Sequence, residues 1–261
     1  MKRMFSPKFF YFSIVAILTM ALSSCFKNKD AATINLNFSL EWFGESTAIG
    51  DTVMYQDNLP LRLEKFLFYI EDISIRDKNG NWLNSGSIDM VEFMPNNEAT
   101  SAEFSATTVR RGVEIDAIKF GLGVGEFYNG LEDAPTHFGN DHALGSVHSA
   151  GMYWNWFTGY IFTKFEGKIA ETVDGPILTP FSFHTGTDDL YRKVVIELEN
   201  SIIVAAEETH DFNVVIDLGA SISTTEDQID LFDNCVTHTL NNHELAERYV
   251  NLLDDAWKII E

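Results

Sequence analysis

Ile34-Asn35-Leu36-Asn37-Phe38-Ser39-Leu40-Glu41-Trp42 alternates apolar and polar residues without a break. Successive side chains of a strand point to opposite faces, so this stretch reads as a half-buried β-strand. Outward from it, the period stays near two for most of the chain. Leu61 to Ile75 reads as a long strand region, followed by Asp77-Lys78-Asn79-Gly80-Asn81, where Asn-Gly supplies the positive φ of a hairpin turn. Trp82 opens the return strand, Ser87 to Phe93 reads as a third strand and Phe104 to Val109 as another. Val113, Ile115 and Ala117 keep one phase, whereas Ile118, Phe120, Leu122 and Val124 keep the other, which predicts a bulge or bend near Ala117. Leu178 to Phe183, Tyr191 to Leu198, Ile202 to Ala206 and Phe212 to Leu218 bring the tally to about ten strands, the last three expected as a meander.

The period changes near the C-terminus. Asn241, with Glu244 three residues on, is a helix start. Leu245, Ala246, Tyr249, Leu252, Leu253, Ala256, Trp257 and Ile260 then form one apolar stripe at helical spacing. The expected fold is a mainly antiparallel β-sandwich with a C-terminal amphipathic helix packed across it.

The first residues are a targeting signal. Lys2, Arg3 and Lys8 precede the apolar run Phe9 to Leu22, which is short for a membrane span and ends in Leu22-Ser23-Ser24-Cys25. That ending is a bacterial lipobox, so residues 1–24 are expected to be removed and Cys25 acylated. The lipid chains would anchor the protein to a membrane, the outer membrane of a cell envelope, without spanning it. Residues 25–32 read as the tether and residues 33–261 as one domain.

Removing the leader leaves 15 Lys and Arg against 39 Asp and Glu, a formal charge of −24. Such a chain repels nucleic acid and anionic lipid. With Cys25 acylated, Cys235 has no partner, which excludes a disulfide framework and a cysteine-based zinc cluster. No nucleophile elbow, zinc-protease helix or phosphate-binding loop is present, and no enzymatic activity is expected. Gly121-Leu122-Gly123-Val124-Gly125 lacks the helix that a dinucleotide loop needs, so its glycines are read as points of close backbone approach or as a strand end.

Chemistry concentrates between residues 126 and 167. A long irregular segment carries His137, His142 and His148, then runs into Met152-Tyr153-Trp154-Asn155-Trp156. On a strand, Met152, Trp154 and Trp156 would share one face. Imidazole and thioether are ligands that borderline and soft metals select, copper among them. The competing reading makes the histidines solvated loop residues and the aromatic strand ordinary core. His238 fits either a ligand or a capping residue; His210 and His243 read as surface positions.

Met152 to Gly167 (Met-Tyr-Trp-Asn-Trp-Phe-Thr-Gly-Tyr-Ile-Phe-Thr-Lys-Phe-Glu-Gly) resembles the signature segment of the MbnP-like copper-binding family, named for a methanobactin-associated protein. Pro60 to Ile73, Ile118 to Val124 and Phe181-Ser182-Phe183-His184-Thr185-Gly186 resemble it too, so the likeness spans roughly residues 33–260. The resemblance implies copper, as Cu(I), with zinc as the alternative ion. It also implies a carrier or sequestering role. It places a histidine before Gly186, and so adds His184 to His142, His148 and Met152 as expected ligands, with Trp154 and Trp156 lining the site. In some relatives a tryptophan is oxidised to kynurenine, which would make a partner oxidase or a metal-transfer protein a partner. The rival expectation is a metal-free surface module whose loop aromatics meet a glycan or a protein.

Overall fold

The computed structural model describes residues 31–95, 97–107, 112–155 and 159–260. The leader, Cys25 and Trp156 lie outside the described residues. In chain order the elements are β1 (Ala31–Trp42), β2 (Glu45–Thr47), β3 (Thr52–Tyr55), β4 (Leu59–Asp77), β5 (Trp82–Asn84), β6 (Ile88–Met94), β7 (Asn97–Ala99), β8 (Ser101–Thr107), β9 (Val113–Leu122) and α1 (Glu126–Asn129). They continue as β10 (Tyr153–Asn155), β11 (Gly159–Tyr160), β12 (Thr163–Ala170), β13 (Ile177–Thr185), β14 (Arg192–Val204), β15 (Thr209–Asp217), β16 (Val236–His238), α2 (His243–Asp254) and β17 (Trp257–Ile260). The mainly β class and the sandwich are as expected. β1 is already paired at Ala31, opposite Thr107, two residues ahead of the expected domain start.

β1 organises the first sheet. Its Ala32, Ile34, Leu36, Phe38, Leu40 and Trp42 are all buried, as the alternation requires. One edge of β1 takes β15; the other takes β8 and then β2, while β17 adds beyond β15. β15 is not the last strand of a meander. It leaves the second sheet and runs parallel to β1, with Leu36, Phe38 and Leu40 opposite Phe212, Val214 and Ile216. Matching the two alternations residue for residue puts both apolar sets on the core face, which a place beside β14 would not do. β14 itself is continuous, and a register shift between Glu197 and Ile202 takes up what reads in sequence as a break.

β4 organises the second, ten-stranded sheet. One edge of its 19 residues pairs with β12 and then with β9; the other pairs with β3, β6 and β5. The handover falls at Tyr69, whose N–H donates to Phe162 O (3.0 Å) and whose carbonyl accepts from Gly123 N–H (2.9 Å). Beyond β12 come β13 and, parallel to it, β16. The bend expected near Ala117 is present as a register shift between Arg76 and Asp77, which face Ala117 and Ile115. Gly121 and Gly123 make room for side chains rather than for a second backbone: a Cβ on Gly121 would meet the Tyr191 hydroxyl, and one on Gly123 the Phe162 ring.

Phe66 to Ile70 are buried without alternation, because both faces of β4 are covered there. Phe66, Phe68 and Ile70 join the main core between the sheets, where Trp257 meets the rings of Phe38, Phe68 and Phe120 edge-on at 5.2–6.3 Å. Leu67 and Tyr69 face outward into a second apolar cluster with Met90, Leu144, Met152, Tyr160 and Phe162. Residues 126–155 and 159–162 thus form a third layer, pinned where Tyr160 Oη donates to Leu144 O (2.8 Å).

The C-terminal helix packs against the sandwich as expected, but it is shorter. Asn242, not Asn241, caps it, its side chain accepting from Leu245 N–H at 3.3 Å. It ends at Asp254, and Trp257–Ile260 becomes a strand on β15. Two carboxylates, Asp254 and Asp255, oppose the negative end of the helix dipole and mark the stop. Past this point Trp257 fits a two-residue period with Ile259 as well as the helical stripe, whereas Ile260, the stripe's last residue, is exposed.

Candidate functional site at the outer face of the second sheet

Strand register builds the site. Leu67, Lys164, His184 and His238 lie opposite one another on β4, β12, β13 and β16, forming one row across the outer face. The alternation of β13 sends Phe181 and Phe183 into the core and leaves Ser182 and His184 outside. One step along, Lys65, Glu166 and Ser182 form a neighbouring row.

His184 Nε2 lies 2.8 Å from Glu166 Oε1 and 2.9 Å from Ser182 Oγ. A carboxylate can only accept, so Nε2 carries the hydrogen and donates it to Glu166. Burial pushes the His184 imidazole below its usual 6.5, outweighing the opposite pull of the Glu166 hydrogen bond, and the Lys164 cation adds to the depression. At neutral pH the ring is therefore uncharged, with a lone pair on Nδ1 that has no hydrogen-bond partner among the described residues. A histidine held on one nitrogen by a carboxylate and open on the other is the arrangement that metal-binding histidines use. His238 stacks beside it, ring centroids 4.8 Å apart and planes 23° from parallel. It is exposed.

The His184 hydrogen bond, with Lys65 Nζ at 3.0 Å from the other oxygen, holds the Glu166 carboxyl down at about 2. A carboxyl depressed from 4.5 stabilises the fold fully above about pH 4.5, and that contribution is lost as pH falls toward 2. Glu166→Gln is expected to flatten this part of the acid limb, read by urea unfolding between pH 5 and 3.

The indole segment closes over the same corner. Gly186, two residues beyond His184, lies under Trp154: a Cβ there would be 3.2 Å from Trp154 Cζ3 and 2.3 Å from Tyr160 O. Thr239 Oγ1 donates to His184 O (3.2 Å) and accepts from Gly186 N–H (3.0 Å). Lys164 Nζ donates to Gly151 O, tying the loop to the row. Gly186→Ala is expected to destabilise the protein by about 1–3 kcal/mol and to displace the Trp154 ring, since Tyr160 backbone cannot yield. Tryptophan fluorescence and thermal melting read the two effects.

The expected ligands divide. His184 and the half-buried Trp154 share this corner, and Met152 packs behind it, 1% exposed, in the second apolar cluster. Met152 and Trp154 do not lie on one long strand face, because β10 is only three residues long and begins after Met152. His142 and His148 lie toward the opposite end of the row. His142 stacks on Phe138 at 4.6 Å and its Nδ1 accepts from Leu144 N–H (3.1 Å), which folds the loop on itself. His148 is exposed and acts electrostatically on Glu92 and Asp89 of β6. Glu92 pairs with Leu67, so three strand spacings, about 14 Å, separate it from His184. Among the described residues no three His, Cys, Asp or Glu side chains gather as a metal would need, so His142, His148 and His184 do not form one set. His137 bonds to Glu132 O, and His243 pairs with Asp189 at 2.6 Å. The partner that sequence reasoning passed over is Glu166; His238, open in the sequence between ligand and capping residue, stands beside His184. Lys164-Phe165-Glu166 alternates next to the indole stretch and could have flagged the carboxylate; nothing local flags His238 as the neighbour of His184.

Among curated proteins none matches the chain. Among solved structures, MbnP from Methylosinus trichosporium is similar at 16% identity and a TM-score of 0.48, covering 73% of this chain and 77% of that one. The family model described as MbnP matches residues 31–242, from the first residue of β1 to the cap of α2, and so takes in the second sheet, the first sheet apart from β17, the His184–His238 row and the indole segment. The chain belongs to the MbnP family.

Proposed function

We propose that this protein is a lipid-anchored cell-envelope protein that binds copper as cargo, as a carrier or sequestering protein rather than a catalyst. The observation that carries the reading is the His184 imidazole: neutral, fixed by Glu166, open at Nδ1 and stacked beside an exposed second imidazole. Neutral nitrogen donors at low coordination number suit Cu(I); zinc, the alternative ion, prefers four ligands, more than this corner assembles. His184 and His238 would hold the ion. Trp154 would wall the site, and the buried Met152 would support that wall. Family membership and the resemblance in the indole segment agree with this role. An enzyme that oxidises Trp154 or Trp156, or a protein that takes the ion onward, would be the partner.

The test is an intact-mass and metal measurement on the native lipoprotein, purified without a histidine tag. Stoichiometric copper, and a mass increment for acylation of Cys25, are expected; tryptophan oxidation would add its own increment. Protein that carries no copper, and takes up none when Cu(I) is supplied, would end the copper reading. A chain with no lipid would end the anchor.

A further inference from the structure

An unassigned pocket of about 210 Å3 lies where the turn after β1, the β3–β4 hairpin and the long segment between β15 and β16 meet. Phe43 and Met54, 49% and 54% exposed, give it an apolar side. Gln56, Asp57 and Asn58 at the hairpin tip and Gln228 from the long segment give it a polar one. The site is separate from the imidazole row: Leu59 is eight residues along β4 from Leu67, about 26 Å.

The backbone here is strained at two turns and held from several sides. Phe43 (φ 49°), Gln56 (33°), Asp57 (36°) and Asn58 (62°) are all left-handed without being glycine. Side chains disfavour that region, and such residues persist where surrounding contacts impose them, often around ligands. The contacts are present. Tyr55 Oη lies 2.9 Å from Ile222 O and 2.8 Å from Ile229 O, and Gln56 Nε2 donates to Ile229 O at 3.2 Å. Trp42 Nε1 donates to Met54 O (2.9 Å), and Asp217 accepts from Phe43 and Gly44 N–H groups (2.8 and 2.9 Å). What these bonds present is a preset opening in which the side chains of Asp57 and Asn58 have no partner among the described residues.

The lining names the ligand class. It holds no lysine or arginine, and the chain carries a net charge of −21, so an anion is disfavoured. Carboxamides both donate and accept, as hydroxyl groups do, and Gln56 Oε1, Asn58, Asp57 and Gln228 offer that mixture on one side. The Phe43 ring and Met54 thioether face it with the apolar surface that the C–H side of a sugar ring needs. We propose that this pocket binds a neutral sugar ring of hexose size.

The test uses the mature chain with 13C-labelled methionine methyls, the Met54 signal assigned by Met54→Leu. The probes are the methyl glycosides of glucose, galactose, mannose and N-acetylglucosamine, with glucuronate as the anionic control. At least one neutral glycoside is expected to shift the Met54 methyl saturably while the buried Met152 methyl stays put. Phe43→Ala and Gln228→Ala, on different loops, should each weaken the response by about tenfold; if the first fails to fold, the second decides. No Met54 shift with any neutral glycoside at about 100 mM, an equal response to glucuronate, or unchanged binding in the folded variants would overturn the proposal. The copper reading is untouched by any of these outcomes, because it stands on His184 and His238.

Discussion

Replacing His184 by alanine is expected to reduce Cu(I) retention on the order of 100-fold or more, with a modest fall in melting temperature from the lost hydrogen bond to Glu166. The side chain lies on the outer face of β13, so its loss opens no core cavity. What disappears is the imidazole whose tautomer is set by the 2.8 Å hydrogen bond to Glu166. Glu166→Gln keeps both rings but weakens the hold on that tautomer, and an orienting partner of this kind contributes about 10–100-fold. His238→Ala should resemble His184→Ala. Competition against a chromophoric Cu(I) chelator measures all three. Because burial lowers the His184 pKa from 6.5, its Nδ1 stays unprotonated to lower pH than a free imidazole, so copper should be released only below pH 6.5. If His184→Ala keeps its copper while His142→Ala or His148→Ala loses it, the site belongs to the loop and not to the sheet.

Trp257→Ala is expected to lower stability by about 3–5 kcal/mol, as removal of a large core ring does. Three phenylalanine rings from both sheets meet this indole, and its strand closes the edge of the first sheet through the pairing of Trp257 with Ile216. In a chain of this size the loss corresponds to a fall in Tm of roughly 10 °C or more. Trp257→Phe should lose much less: the indole N–H has no hydrogen-bond partner among the described residues, so only packing changes. Urea unfolding separates the two variants. Were residues 257–260 a helical continuation lying outside the sheets, both substitutions would have small and similar effects.

Much of the fold is legible residue by residue. The alternation from Ile34 to Trp42 places β1 and its buried face, because a two-residue period has one physical reading when one side meets water. Asn79-Gly80 marks a real turn, and the phase switch near Ala117 marks a real register shift. The C-terminal stripe is legible only in part. Trp257 satisfies both periods, and the choice between helix and strand there was made by the open edge of β15, which no local pattern records.

The chain's own order of residues determined the β class, the acidic surface, the family and the neighbourhood of the chemistry, since each depends on composition, on period, or on a contiguous segment. The grouping of the imidazoles was decided by tertiary structure alone. His184 and His238 are 54 residues apart in sequence and meet because β16 lies parallel to β13 in a register that sets them opposite. His142 and His148, much nearer in sequence to the indoles, are carried to the far side of the same layer by a loop that folds around Tyr160 and Leu144. Strand register is a long-range choice made by burying whole apolar faces, so a polar pair riding on the outside is placed by packing in which it takes no part.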